Sequence, residues 1–227
     1  MSSPIQAFKD DPLVKAVTAY VKEYMKHYDA SHDWSHIERV VSMAHYIYND
    51  SDDQFKSNLD LRTIHLAALL HDVGDRKYLQ PNESPTALLS SLLTSHACPP
   101  ALITKLQTIC AGVSYSSEVR NTSHVRRLVD EYPELGVVQD ADRLDAIGAV
   151  GIGRMFTYGG AKTQRDMAGT MEHLEEKLLR LEGMMKTDVG RRVARERTER
   201  LRVFRGWWED EVGLERGRDG VEGDEEA

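Results

Sequence analysis

Apolar residues recur at intervals of three and four along almost the whole chain, and alternation of strand type nowhere persists for a useful length. The predicted fold class is therefore all-α: a compact multi-helix bundle. A first helix is expected over residues 12–27, with Leu13, Val17, Tyr20, Val21 and Tyr24 on one side. After a polar turn, residues 28–34, a second helix starts at Ser35, where Ser35 and Glu38 fit a capping box, and runs to about Tyr48. An acidic loop over 49–57 leads to a third helix, residues 59–73, whose second half is apolar nearly all round and should be central.

Serine before proline at Ser84-Pro85 and the pair Pro99-Pro100 mark the next two starts, giving helices over about 85–95 and 100–111. Another covers roughly 123–132 and ends at Pro133-Glu-Leu-Gly136. Residues 141–156 carry Gly148, Gly151 and Gly153 and read as one closely packed helical segment, followed by a loop over 157–170. Two last helices, about 171–185 and 188–210, complete the set. The arginines after Gly190 alternate with glutamates, the pattern of a solvated, salt-bridged face.

Length and charge narrow the class. At 227 residues the chain suits one large domain with an extension: a body over 1–211 and an acidic, disordered tail over 212–227. The net charge is -8, and residues 209–227 hold nine acids against two arginines, so neither part offers the basic field that a nucleic-acid polymer requires. The longest apolar run, 66–70, falls far short of the roughly 20 residues of a membrane span. With no signal-like start, the expectation is a cytoplasmic protein that associates with neither membrane nor nucleic acid. Cys98 and Cys110 have no metal-type spacing and read as buried free thiols.

Candidate chemistry begins at the end of the third helix, where residues 64–75 read IHLAALLHDVGD and His71 and Asp72 close an apolar run. Burying an imidazole and a carboxylate there is costly unless they pair at the helix end or share a metal. Two other segments bring partners: His36 in the first turn of the second helix and Asp142 in QDADRLD. Two imidazoles and two carboxylates suit Mn, Fe, Co, Ni or Zn. Asp75 follows Asp72 by three, so if the helix persists both face one cavity and Asp75 is placed to orient or deprotonate a water. Arg39 shares a helix face with His36, and Lys77 follows Asp75, so each puts a cation beside the candidate ligands in sequence.

In pattern the chain resembles the HD-domain metal-dependent phosphohydrolases: a single His, a His-Asp pair, then a distant Asp. The stretches HDWSHIERV, AALLHDVGDRK, VQDADRLDAIGAVGIGR and EHLEEKLLRLEGMMKT are similar to the YpgQ/YedJ group of bacterial HD hydrolases, over about residues 30–208. That resemblance implies His36, His71, Asp72 and Asp142 as ligands of one divalent metal, with Mn the first choice and Co, Ni, Fe, Zn or Mg the others. It also favours Lys77 over Arg76, sets His32-Asp33 aside as a decoy whose His32 supports the site or bonds locally, and selects Asp142 over Asp140. Asp145, a turn later, is then expected either at the water or substrate or as an acceptor behind a ligand, and Tyr115 with Ser116 in the pocket lining. Asp72 and Asp75 are the catalytic candidates; Arg39, Lys77, Tyr115 and Asp145 the substrate-binding ones.

The implied reaction is hydrolysis of a nucleotide or related small phosphate compound, with a nucleoside triphosphate cleaved to monophosphate and pyrophosphate as the leading form. A nucleotide monophosphatase, a di-iron HD-type oxygenase using His96 and His124, and a non-catalytic nucleotide-binding protein are the alternatives. The segment YSSE at 115–118 stands where two-metal relatives often carry His-His-Glu, which argues for one metal. His45 and His65 read as packing or hydrogen-bonding residues and His173 as structural or bordering the site. Partners reduce to the small phosphorylated substrate and a possible homo-oligomer.

Overall fold

The computed structural model describes residues 4–75, 79, 82–163 and 165–218. Among them are twelve α-helices and no strand. The helices are α1 (Pro12–Tyr24), α2 (Trp34–Asp50), α3 (Asp53–Lys56), α4 (Leu61–Leu70), α5 (Pro85–Ser95) and α6 (Pro100–Val113) in the first half. Then come α7 (Tyr115–Arg120), α8 (Thr122–Glu131), α9 (Pro133–Asp145), α10 (Gly148–Tyr158), α11 (Met167–Glu176) and α12 (Asp188–Arg218). No helix among the described residues is long and apolar enough to cross a membrane.

Helix starts follow local chemistry. Asp11 caps α1 by accepting from the backbone N–H groups of Leu13 and Val14, Asp60 caps α4, and Ser84 caps α5 ahead of Pro85. The start of α2 departs from expectation: Asp33, not Ser35, is the cap, its carboxylate accepting from the His36 N–H at 3.0 Å. A carboxylate in that position also meets the positive end of the helix dipole, which a serine hydroxyl does not.

The centre of the bundle is made by α2, α4 and α9 packed against one another. Helix α4 buries every residue from Thr63 to Leu70, as its all-round apolar sequence predicts. Helix α9 was not anticipated. Pro133, read as ending a helix, instead occupies the first turn of a new one, where its missing N–H leaves no bond unmade. From Glu134 to Asp145 every residue of α9 is buried except Asp142, although Gln139, Asp140, Arg143 and Asp145 are polar.

Those polar groups draw their partners from a distance, although Gln139 Oε1 and Arg143 Nε are left without one. Asp140 accepts from the backbone N–H of Lys186 and Thr187 and from the Thr187 hydroxyl, each at 2.8 Å, and so anchors the start of α12. Arg143 donates to Glu118 at 2.5 Å, and Lys186 reaches the other oxygen of Glu118 at 2.6 Å.

The expected single segment 141–156 is broken after Asp145. Gly148 has φ +74°, a conformation that favours glycine, and the chain restarts there as α10. Arg197 packs against Gly148 and donates to the Leu144 carbonyl at 2.5 Å, so this arginine of α12 closes the end of α9 rather than joining a solvated face. Within the expected loop 157–170 a π-helical turn, Gly159–Thr163, extends α10, and α11 starts at Met167. Helix α12 continues to Arg218, beyond the Asp210 anticipated; the remaining tail, 219–227, lies outside the described residues.

Candidate metal centre

Three backbone devices converge on one buried point. Asp33 fixes the first turn of α2 and with it His36; α4 ends at Leu70 and releases His71 and Asp72 into a turn; the last turns of α9 present Asp142. Tyr28 donates its hydroxyl to the Asp72 carbonyl at 2.9 Å, tying the turn before α2 to the turn after α4.

The imidazoles of His36 and His71 lie with centroids 5.3 Å apart, both buried. His71 Nδ1 stands 2.8 Å from the Ala68 carbonyl, which can only accept, so Nδ1 keeps its proton and Nε2 is the nitrogen left to offer a lone pair when the ring is neutral. His36 Nδ1 donates to Asp145 Oδ2 at 2.7 Å, with the same consequence. His36 Nε2 lies 3.3 Å from Asp72 Oδ2 and 3.6 Å from Asp142 Oδ1; His71 Nε2 lies 3.5 Å from Asp72 Oδ1 and 3.7 Å from Asp142 Oδ1. Donor atoms of His36, His71 and Asp142 all fall within 4.8 Å of one another.

Both Nε2 atoms and Asp72 Oδ2 are buried without a hydrogen-bond partner. Two imidazole nitrogens and a carboxylate oxygen buried together without hydrogen bonds are costly in a packed interior, and one divalent ion, taking the place of any proton on Nε2, would engage them all. The donor set of two imidazoles and two carboxylates fits a borderline transition metal. Charge points the same way. Burial alone would lower His71, but Asp72 and Asp142 push it up to about 9. Burial would likewise raise the two carboxyls, but the imidazoles hold Asp72 well below its ordinary value and Asp142 below its own. The cluster draws positive charge.

Other expected site residues take different places. Asp145 does not face this point: its carboxylate lies behind His36, bound also by Arg39 through Nε at 2.7 Å and Nη2 at 3.0 Å, and by Arg154 at 3.2 Å. Burial would raise it, yet the hydrogen bonds from His36 and Arg39 bring it down to about 2. Arg39 is thus committed to Asp145, although its side chain remains partly exposed.

Asp75 is not a further turn of helix after Asp72. Gly74 adopts φ +80° with Pro85 against it, and the Asp75 N–H donates to the Asp72 carbonyl at 3.1 Å. Burial is what chiefly raises the Tyr28 phenol, and the carboxylates of Asp72 and Asp75 add to it from nearby. Tyr115 opens α7 and packs against the core with the Lys177 ammonium 5.0 Å over its ring. Arg76 and Lys77 lie outside the described residues.

Among the histidines, His32 bonds Ser31 locally at 2.7 Å and lays its ring between those of His36 and Tyr158. Tyr158 and His173 border a cavity of about 110 Å³. His45 and His65 bond each other at 2.9 Å. His96 and His124 are exposed, and neither belongs to the metal-type cluster found among the described residues. The residue missed in the sequence is Arg154, which donates to the Ser31 carbonyl at 2.7 Å besides meeting Asp145. Its one signal was its position at the end of the motif that begins at Val138.

The family model for the HD domain matches residues 33–147, and the chain belongs to this family. Its fold is that of the HD-superfamily hydrolases. YpgQ of Bacillus subtilis is 32% identical over 184 residues, covering 80% of this chain and 84% of YpgQ. The crystal structure of that protein in complex with ADP superposes with a TM-score of 0.66, covering 88% of this chain and 96% of the other. Lin1889 of Listeria innocua, 30% identical, gives a TM-score of 0.67 over 91% of this chain and 98% of its own. An HD-superfamily hydrolase of Bacillus thuringiensis, 29% identical, gives 0.66 over 90% and 98%.

Proposed function

We propose that this protein is a metal-dependent phosphohydrolase acting on a nucleotide, cleaving a nucleoside triphosphate to monophosphate and pyrophosphate. The observation that carries the reading is the convergence of two buried Nε2 atoms with the carboxylates of Asp72 and Asp142. His36, His71, Asp72 and Asp142 would hold one divalent ion, Mn by preference. Such an ion, when bound, lowers the pKa of a water and neutralises charge on a phosphoryl oxygen. The nucleotide class is supported by the ADP complex of the related YpgQ.

The chain's own groups divide the remaining work. Asp75 orients the attacking water and accepts its proton. Lys77 and the amino group of Arg39 not held by Asp145 meet the phosphate oxygens, and Tyr115 lines the substrate pocket. A single metal agrees with the outlying positions of His96 and His124.

The test is metal content per chain, measured alongside product analysis on a nucleotide panel after Mn, Co, Ni or Mg is returned to metal-stripped protein. About one metal per chain with pyrophosphate released supports the proposal. Phosphate as the product would make the protein a monophosphatase on the same site, two irons with dioxygen-dependent turnover would make it an oxygenase, and nucleotide binding without turnover would remove catalysis altogether.

A further inference from the structure

The two buried imidazoles are held in different ways, and the difference follows from where each sits on its helix. His71 lies just past the C-terminal end of α4, where the carbonyls of the last turn are free, and it turns back on Ala68, three residues earlier. His36 lies in the first turn of α2, where the free backbone groups are N–H donors and its own N–H is already taken by Asp33. No local carbonyl is available to fix its ring, so the acceptor has to come from another element. That acceptor is Asp145, 109 residues away in the chain, with side-chain exposure of 5%.

We infer that Asp145, clamped between Arg39 and Arg154, is the positioning residue that fixes the ring and tautomer of His36 so that Nε2 is the donor offered to the metal. The inference rests on the metal-dependent reading above. Arg39 stands three residues after His36 on the same helix face and grips both Asp145 oxygens with Nε and Nη2, which stops the carboxylate from rotating. Arg154 comes from α10 and meets Oδ2, the oxygen that accepts from His36, while its Nε holds the Ser31 carbonyl. Two guanidiniums also offset the cost of burying a third carboxylate beside Asp72 and Asp142. The clamp thereby joins α2, the turn before it, α9 and α10 at one carboxylate.

The experiment uses the full chain as wild type and as Asp145→Ala, Asp145→Asn and Arg154→Ala. Dissociation constants for Mn2+ and Co2+ are measured by competition with a chromophoric chelator, together with the absorption spectrum of bound Co2+ and the thermal unfolding of the metal-free proteins. Asp145→Ala should weaken metal binding by about 10- to 100-fold and alter the Co2+ spectrum. Asp145→Asn keeps an acceptor for the imidazole N–H but loses the charge that holds the arginines, so it and Arg154→Ala should each lose affinity by a smaller factor.

A carboxylate that merely braced α9 against α2 would change thermal stability and leave metal affinity untouched. Wild-type affinity and spectrum in folded Asp145→Ala, or in Asp145→Asn and Arg154→Ala should the alanine variant not fold, would overturn the inference. Wild-type protein that binds no metal would instead sink the reading beneath it, so the two failures are distinct.

Discussion

The hydroxyl of Tyr28 donates to the main-chain carbonyl of Asp72 at 2.9 Å, a bond that crosses 44 residues of sequence. It secures the turn that follows α4 at the residue whose side chain faces both imidazoles. Tyr28→Phe keeps the ring and removes this bond together with the hydroxyl's contact to Tyr24. We expect a loss of about 1 kcal/mol in unfolding free energy, with weaker metal binding than in wild type, measured by urea titration and metal competition. Unchanged values in both would mean that the bond does not hold the turn.

Asp72 and Asp75 should separate in their effects. Asp72→Ala removes a carboxylate from between the imidazoles, so metal content and hydrolysis should fall together while the helical circular-dichroism spectrum persists. Asp75→Ala should keep the metal and lower turnover by about 10²- to 10⁴-fold, the range for a general base. Metal lost from Asp75→Ala would move this residue into the support of the site, and full activity in Asp72→Ala would remove it from the site.

Glu118 carries a structural prediction of larger size. Its two oxygens receive Arg143 and Lys186, and Arg143 is almost wholly buried. Glu118→Ala leaves that guanidinium buried without its counter-charge, which costs about 3–5 kcal/mol. In a chain of this length the melting temperature should drop by on the order of 10 °C. A shift of only one or two degrees in differential scanning calorimetry would show that Arg143 finds other partners.

The parts of this architecture that could be read from sequence are those decided locally. Ser84 before Pro85 and the pair Pro99-Pro100 start helices because capping and proline act within one turn. The apolar run that ends in His71-Asp72 signals a central helix on hydropathy alone. Helix α9 escaped because its core-facing positions hold Gln139, Asp140, Arg143 and Asp145, which break the apolar pattern; their partners Lys186, Thr187, Glu118 and His36 are 21 to 109 residues away. Helix α7, at six residues, is too short to display a period. The sequence leaves Asp145 open between a contact to water or substrate and an acceptor behind a ligand, because His36 and Arg39, which take up its oxygens, lie 109 and 106 residues away.

The buried pair His45 and His65 leads to a prediction about pH. His45 Nε2 and His65 Nδ1 lie 2.9 Å apart between α2 and α4, with the ring of Phe8 against both. Burial, with His45 beside it, pushes His65 down to about 4, and burial lowers His45 as well. In the unfolded chain each returns to about 6.5. A depressed folded value means that the unfolded state binds the proton first as pH falls. The contribution of the pair to stability is therefore complete above about pH 6.5 and is lost as pH falls through the window down to about 4. For His65 alone it amounts to on the order of 3 kcal/mol. The carboxylates of the site add their own acid lability, but they do so equally in a double variant, His45→Leu with His65→Leu. Urea unfolding of the metal-stripped proteins at steps from pH 7.5 to 4 should show wild type losing about 3 kcal/mol more than the double variant, most of it below pH 6.5. Parallel stability curves would mean that the pair is charged in the folded protein, or that neither histidine regains its ordinary pKa on unfolding.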